Sequence, residues 1–190
     1  AGNDRTLRVF GYFDVGNALP LGEAAHVAAT IVLPDDISER PPERRIVCFA
    51  KPGGGYSRGY YTCELPGPGK GAPADFHAER GWIFVSLDNL GSGDSSIHAP
   101  EQLDFANCTA AAAAAEQDIL LRLANGILAP GLAPVLQPVR IGMGQSTGGS
   151  LAIIQQARFA SYDGLAILGF SAVHNHPATA PGEPPVVTPW

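Results

Sequence analysis

Four short apolar runs constrain this chain more than any other feature. Arg45–Ala50, Trp82–Leu87, Pro138–Met143 and Gly164–Phe170 are each six or seven residues long and mostly apolar, with only Arg45, Ser86 and Arg140 polar. That is the pattern of strands buried on both faces. Between them lie stretches of helix formers: Pro73–Arg80 stopped by Gly81, Glu101–Ala124 ended by Asn125-Gly126, and a third from Ser146 or Thr147 to Ala160. The order strand, helix, strand, helix predicts an α/β fold, a mostly parallel sheet with right-handed crossovers and helices on both faces. Leu7–Val15 and Ala25–Leu33 are bounded by Gly, Pro and Asp and predict an antiparallel strand pair at the start. After Ala172 the sequence becomes His-Asn-His-Pro and then Pro-rich, with no core-forming period. The sixth strand is therefore expected to lack a neighbour at its outer edge.

Composition excludes several classes. The 190 residues are 45% apolar and 16% charged, too hydrophobic for a disordered tail. Twelve Lys+Arg against eighteen Asp+Glu give a net charge of −6 with no basic run, which argues against nucleic acid and anionic membranes. No apolar stretch approaches the roughly 20 residues of a membrane span. Cys48, Cys63 and Cys108 are too scattered for a zinc site and allow at most one disulfide, with Cys63–Cys108 conceivable. No motif calls for a metal or an organic cofactor. An Ala-Gly start is compatible with a removed export signal and with an artificial boundary, so the compartment stays open, leaning to an exported chain.

Two glycine-rich segments carry the chemistry. Gly144-Gln145-Ser146-Thr147-Gly148 matches G-x-S-x-G between a buried strand and a helix. In that context Ser146 is expected on a sharp strained turn, its hydroxyl raised at the carboxyl edge of the sheet near a helix N-terminus. Dinucleotide binding fails on spacing, since Thr147 stands where a third glycine is needed. Lys51-Pro52-Gly53-Gly54-Gly55-Tyr56 follows the first parallel strand, and its bare glycines leave N–H groups free to face a developing oxyanion. Both loops follow buried strands, so both belong to the edge where open α/β sheets bind ligands.

On these residues the chain resembles the α/β-hydrolase fold, from the antiparallel pair through Ala172. Gly53-Gly54-Gly55-Tyr56 is similar to the GGGX oxyanion loop of esterases and lipases, and Trp82–Ser96 to the strand and loop ahead of that fold's second helix. The resemblance implies residues 1–172 as the N-terminal part of a hydrolase core and 173–190 as a lid or linker. It implies Ser146 as nucleophile, Thr147 and Gly54 as oxyanion donors with Gly55 or Tyr56 as further ones, and Gln145 as a pocket wall. Tyr56, Tyr60 and Tyr61 could line an acyl pocket or pack the loop. His98 is a substrate-contact candidate, and His26 and His77 are read as surface or strand-facing. Asp88 and Asp94 are read as loop-stabilising.

The departures matter as much. A serine hydroxyl needs a positioned base, and the family pattern places its acid and then its histidine beyond two further strands. After Ser146 the chain has only Asp163, at the wrong end of the sheet, and Glu183 in the tail. His174 and His176 follow the sixth strand at the correct edge, where the family begins a lid; they are read as lid or loop histidines, with either as the catalytic base the alternative. The expectation is a serine hydrolase for an ester, lactone or related acyl substrate, completed by a C-terminal segment or second chain that carries acid and histidine. A lyase or acyltransferase on the same scaffold, or a ligand-binding module without turnover, are the alternatives.

Overall fold

The computed structural model describes residues 6–37, 39, 45–64, 66, 71–175 and 179–189. Six strands form one sheet: β1 (Thr6–Asp14), β2 (His26–Pro34), β3 (Ile46–Lys51), β4 (Ile83–Leu87), β5 (Val139–Gln145) and β6 (Gly164–Leu168). Their spatial order is β1-β2-β4-β3-β5-β6. β1 and β2 pair antiparallel from Thr6 opposite Pro34 to Asp14 opposite His26, and β2 runs antiparallel to β4. β4, β3, β5 and β6 are mutually parallel. The fold class read from the sequence is the one observed.

Side-chain alternation places two cores. Val47 and Phe49 of β3 and Ile83, Val85 and Leu87 of β4 face the larger core, which also holds Ala111, Ala115, Ile119 and Leu123. Those four lie on helix α3 (Phe105–Ala124), spaced so that one stripe meets the sheet. Cys48, Ala50 and Phe84 point the other way, onto Tyr61, Ala74 and Ala78. These belong to helices α1 (Gly59–Thr62) and α2 (Pro73–Ala78). Helix α4 (Thr147–Phe159) follows β5 and buries Leu151, Ala152 and Gln155.

Boundaries moved where local chemistry overrode propensity. The third helix was expected from Glu101 but begins at Phe105, because the Asp104 carboxylate caps it by accepting from the Asn107 N–H at 2.7 Å. Glu101 sits instead in a 3₁₀ turn, Pro100–Gln102. β6 ends at Leu168 rather than Phe170, since Gly169 turns the chain with φ +59°. β3 and β5 end one and two residues later than expected, at Lys51 and Gln145. Helix α1 was not foreseen. In the tail, β7 (His174–Asn175) and β8 (Thr188–Pro189) form a two-residue antiparallel pair. The three cysteines are free thiols, so the Cys63–Cys108 disulfide does not form. β6 is a parallel edge strand whose Leu165 and Leu168 are half-exposed. No helix among the described residues is long and apolar enough to cross a membrane.

Candidate active site

Strands β3 and β5 are direct neighbours, with Lys51 opposite Gly144, so the loops that follow them leave the sheet side by side. The second loop is the sharp turn into α4. Ser146 occupies it with φ 51° and ψ −121°, a conformation L-residues rarely adopt. Its N–H donates to the Leu168 carbonyl at 2.9 Å and its carbonyl accepts from the Gly149 N–H at 2.8 Å, which fixes the turn at both ends. The hydroxyl makes no capping bond to α4. The flanking glycines have a steric cause. A Cβ at Gly144 would strike the Gly148 carbonyl, and one at Gly148 would strike the Lys51 carbonyl oxygen.

The first loop packs against this turn. A Cβ on Gly53 would lie 3.2 Å from Ser146 Cβ, and one on Gly54 would lie 3.3 Å from Thr147 Oγ1. A side chain at either position would press on the turn and force its neighbour to give. Gly54 and Gly55 are exposed, with Gly55 at φ +80°. The first amides of a helix have no intrahelical partner, so the Thr147 N–H at the start of α4 is open to a ligand and carries the positive end of the helix dipole. Tyr56 differs from expectation. Its N–H donates to the Gly53 carbonyl at 3.2 Å, closing a turn, so it is not a free oxyanion donor. Its ring, 56% exposed, remains available to a ligand beside Tyr60, 5.5 Å away between centroids. Tyr61 packs instead: it is buried on Phe84 and its hydroxyl donates to the Lys51 carbonyl at 3.2 Å. Burial pushes its phenol well above the usual value. Gln145 presents a buried Oε1 with no hydrogen-bond partner, directed at Gly53.

Other expected residues fall elsewhere. His98 is fully engaged, Nδ1 to Glu23 Oε1 at 2.6 Å and Nε2 to Ser96 Oγ at 2.8 Å. With its side chain only 2% exposed, neither nitrogen is left for a substrate, and the expected contact role is corrected to a structural tie. His26 bonds the Asp94 carbonyl and stacks edge-on with Tyr12. His77 packs on Trp82 and Phe84, and burial followed by Arg80 lowers its pKa. Asp163 pairs with Arg140 at the start of β5, at the edge opposite Ser146, as the strand order required. His174 is exposed in β7, and His176 lies outside the described residues. Among the described residues no hydrogen bond joins the Ser146 hydroxyl to a histidine or carboxylate, and no group of three His, Cys, Asp or Glu side chains could hold a metal.

Three anchors of the first loop escaped the sequence reading. Arg58 ties it to the segment after β4: its backbone N–H donates to Asp88 Oδ1 at 2.6 Å, and its guanidinium pairs with Asp88 and, at 2.7 Å, with Asp94. Both acids thus stabilise loops, as expected. Asn89 Nδ2 donates to the Pro52 carbonyl at 3.0 Å. Lys51, 1% exposed, pairs with Glu116 at 2.5 Å. A lone lysine closing an apolar strand and a lone glutamate within an alanine-rich helix were the signals present.

No protein-family model matches the chain, and no curated protein matches it in sequence. Solved structures do match in shape. The hypothetical protein PA2218 from Pseudomonas aeruginosa is similar with a TM-score of 0.58 at 17% identity, over 86% of this chain and 42% of its own. Epoxide hydrolase VrEH1 from Vigna radiata gives 0.54 at 9%, over 92% and 42%. A ferulic acid esterase from Streptomyces cinnamoneus gives 0.55 at 15%, over 86% and 58%. The fold is that of the α/β-hydrolases. The chain spans 42% of the length of the first two of these structures, consistent with the N-terminal portion of such a fold.

Proposed function

We propose that the chain carries the nucleophile and oxyanion hole of a serine hydrolase acting on an ester, lactone or related acyl compound. The observation that carries this reading is the strained Ser146 turn packed against the Gly53–Gly54 loop. Ser146 Oγ attacks the acyl carbon while a base takes its proton. The carbonyl oxygen becomes an oxyanion between the N–H groups of Gly54 and Thr147, with Gly55 as a further donor. The base then protonates the leaving alcohol, and water hydrolyses the acyl-serine by the same steps in reverse roles. Gln145 and the Tyr56 ring form walls of the acyl site.

The acid and histidine come from polypeptide beyond these residues, a further segment or a second chain, that pairs along the open edge of β6. Residues 173–190 act as a lid or linker leading to it. Without base and acid, the oxyanion hole and binding alone are worth about 10³–10⁴ over water. The test is hydrolysis of a p-nitrophenyl ester by the natural protein that contains this chain, against its Ser146→Ala variant. Turnover that survives the substitution refutes the reading. Denaturing mass spectrometry of the same active sample tests the completing segment, and full activity from a single 19.8 kDa species would end that part.

A further inference from the structure

Beneath the site lies a buried polar cluster that the reaction above does not use. Lys51 closes β3, and its side chain continues the alternation of Val47 and Phe49 toward the α3 face. There Nζ donates to Glu116 Oε1 at 2.5 Å and to the Tyr162 hydroxyl at 2.6 Å. Tyr162 donates in turn to the same Glu116 oxygen at 2.9 Å, and Gln155 Nε2 donates to Glu116 Oε2 at 2.7 Å. Lys51, Glu116, Tyr162 and Gln155 are all at most 4% exposed. The cluster joins β3, α3, α4 and the turn before β6.

Such a cluster is a poor stability device. Desolvating both charges offsets most of their attraction, and an apolar replacement of the whole set is often neutral or stabilising. What it provides is position. Lys51 and Pro52 are the root of the glycine loop: the Lys51 carbonyl accepts from Tyr61 and lies against Gly148, and the Pro52 carbonyl accepts from Asn89. From Gly54 to Ser57 the loop is exposed, held at its far end by Arg58 on Asp88 and Asp94 and at its near end by the root. Gly54 is the exposed residue nearest the root, two positions from Pro52, so its placement follows the root most closely.

We propose that Lys51 is a positioning residue, whose ammonium, clamped by Glu116 and Tyr162, sets where the Gly54 amide stands relative to Ser146. This rests on Ser146 being the nucleophile. A misplacement of about 1 Å at a reacting centre costs on the order of 10²-fold, as does losing one oxyanion donor.

The experiment uses the natural protein with p-nitrophenyl esters and reads kcat, KM and thermal midpoint. The variants are Lys51→Met with Glu116→Leu and Tyr162→Phe together, Tyr162→Phe alone, and Ser146→Ala as control. Gln155 Nε2, which loses Glu116, keeps its bond to Ser161 Oγ at 3.2 Å, so the triple variant is expected to keep its thermal midpoint and its KM while kcat falls about 10- to 100-fold. Tyr162→Phe alone is expected to lower kcat several-fold with KM unchanged. A folded triple variant with wild-type kcat overturns the proposal. If the triple variant does not fold, an unchanged kcat in Tyr162→Phe overturns it instead. Activity that persists in Ser146→Ala overturns the nucleophile assignment, and the positioning role with it. Loss in that control together with an unchanged kcat in the cluster variants defeats the positioning role alone.

Discussion

Replacing Ser146 by glycine should make the protein more stable than replacing it by alanine. Both changes remove a hydroxyl that caps nothing, so the comparison isolates the backbone. A residue with a Cβ held at φ 51° and ψ −121° stores about 1–3 kcal/mol. Glycine adopts that region freely but loses more chain entropy on folding, about 0.5–1 kcal/mol. Taking about 2 for the strain and about 0.75 for the entropy leaves about 1 kcal/mol in favour of glycine. In a chain of this size that raises the thermal midpoint by about 2–4 °C. Parallel calorimetric scans of Ser146→Gly and Ser146→Ala give the difference directly. Equal midpoints, or a more stable alanine variant, would mean that the turn is not strained and that the geometric argument for an outward-held hydroxyl is wrong.

Arg58→Ala should destabilise by about 3 kcal/mol, because it removes the cationic partner of the fully buried Asp88 carboxylate; urea denaturation measures it, and a loss below about 1 kcal/mol would contradict the anchor. In a thiol titration with a chromogenic disulfide near pH 8, exposed Cys63 should react within seconds to minutes. Cys48 should stay silent until the protein is unfolded, since burial pushes its thiol up to about 12. His77 gives a pH dependence. Burial and then Arg80 hold its folded pKa below the ordinary 6.5, so the unfolded chain binds more protons between the two values. Its contribution is complete above about pH 6.5 and is lost as pH falls through that value toward the lower folded pKa. His77→Phe should therefore flatten the fall in thermal midpoint between about pH 7 and pH 5, and an unchanged slope would refute the assignment.

What could be read in advance follows from how local each signal is. Val47 to Ala50 and Ile83 to Leu87 declare a sheet covered on both faces, because every position but Ser86 is apolar and period two assigns them to two cores. The Ser146 turn was legible for a similar reason: Gly144 and Gly148 sit at fixed offsets where only hydrogen fits. The anchors were not legible. Glu116 meets Lys51 across 65 residues and Arg58 meets Asp88 across 30, and no periodicity within either segment encodes such a pairing. His98 misled because its chain position suggests the active edge while its side chain turns to Glu23 and Ser96. The Tyr56 amide misled because a turn hydrogen bond to Gly53 depends on the loop conformation and not on residue type.

The central claim is that the Ser146 hydroxyl and the Gly54 and Thr147 amides act on one acyl group. A crystal structure of the natural protein after reaction with a fluorophosphonate tests it most directly. The account predicts phosphorus bonded to Ser146 Oγ, with its non-bridging oxygen about 2.7–3.1 Å from the amide nitrogens of Gly54 and Thr147. An unmodified Ser146, or a phosphonyl oxygen turned away from both amides, would contradict it.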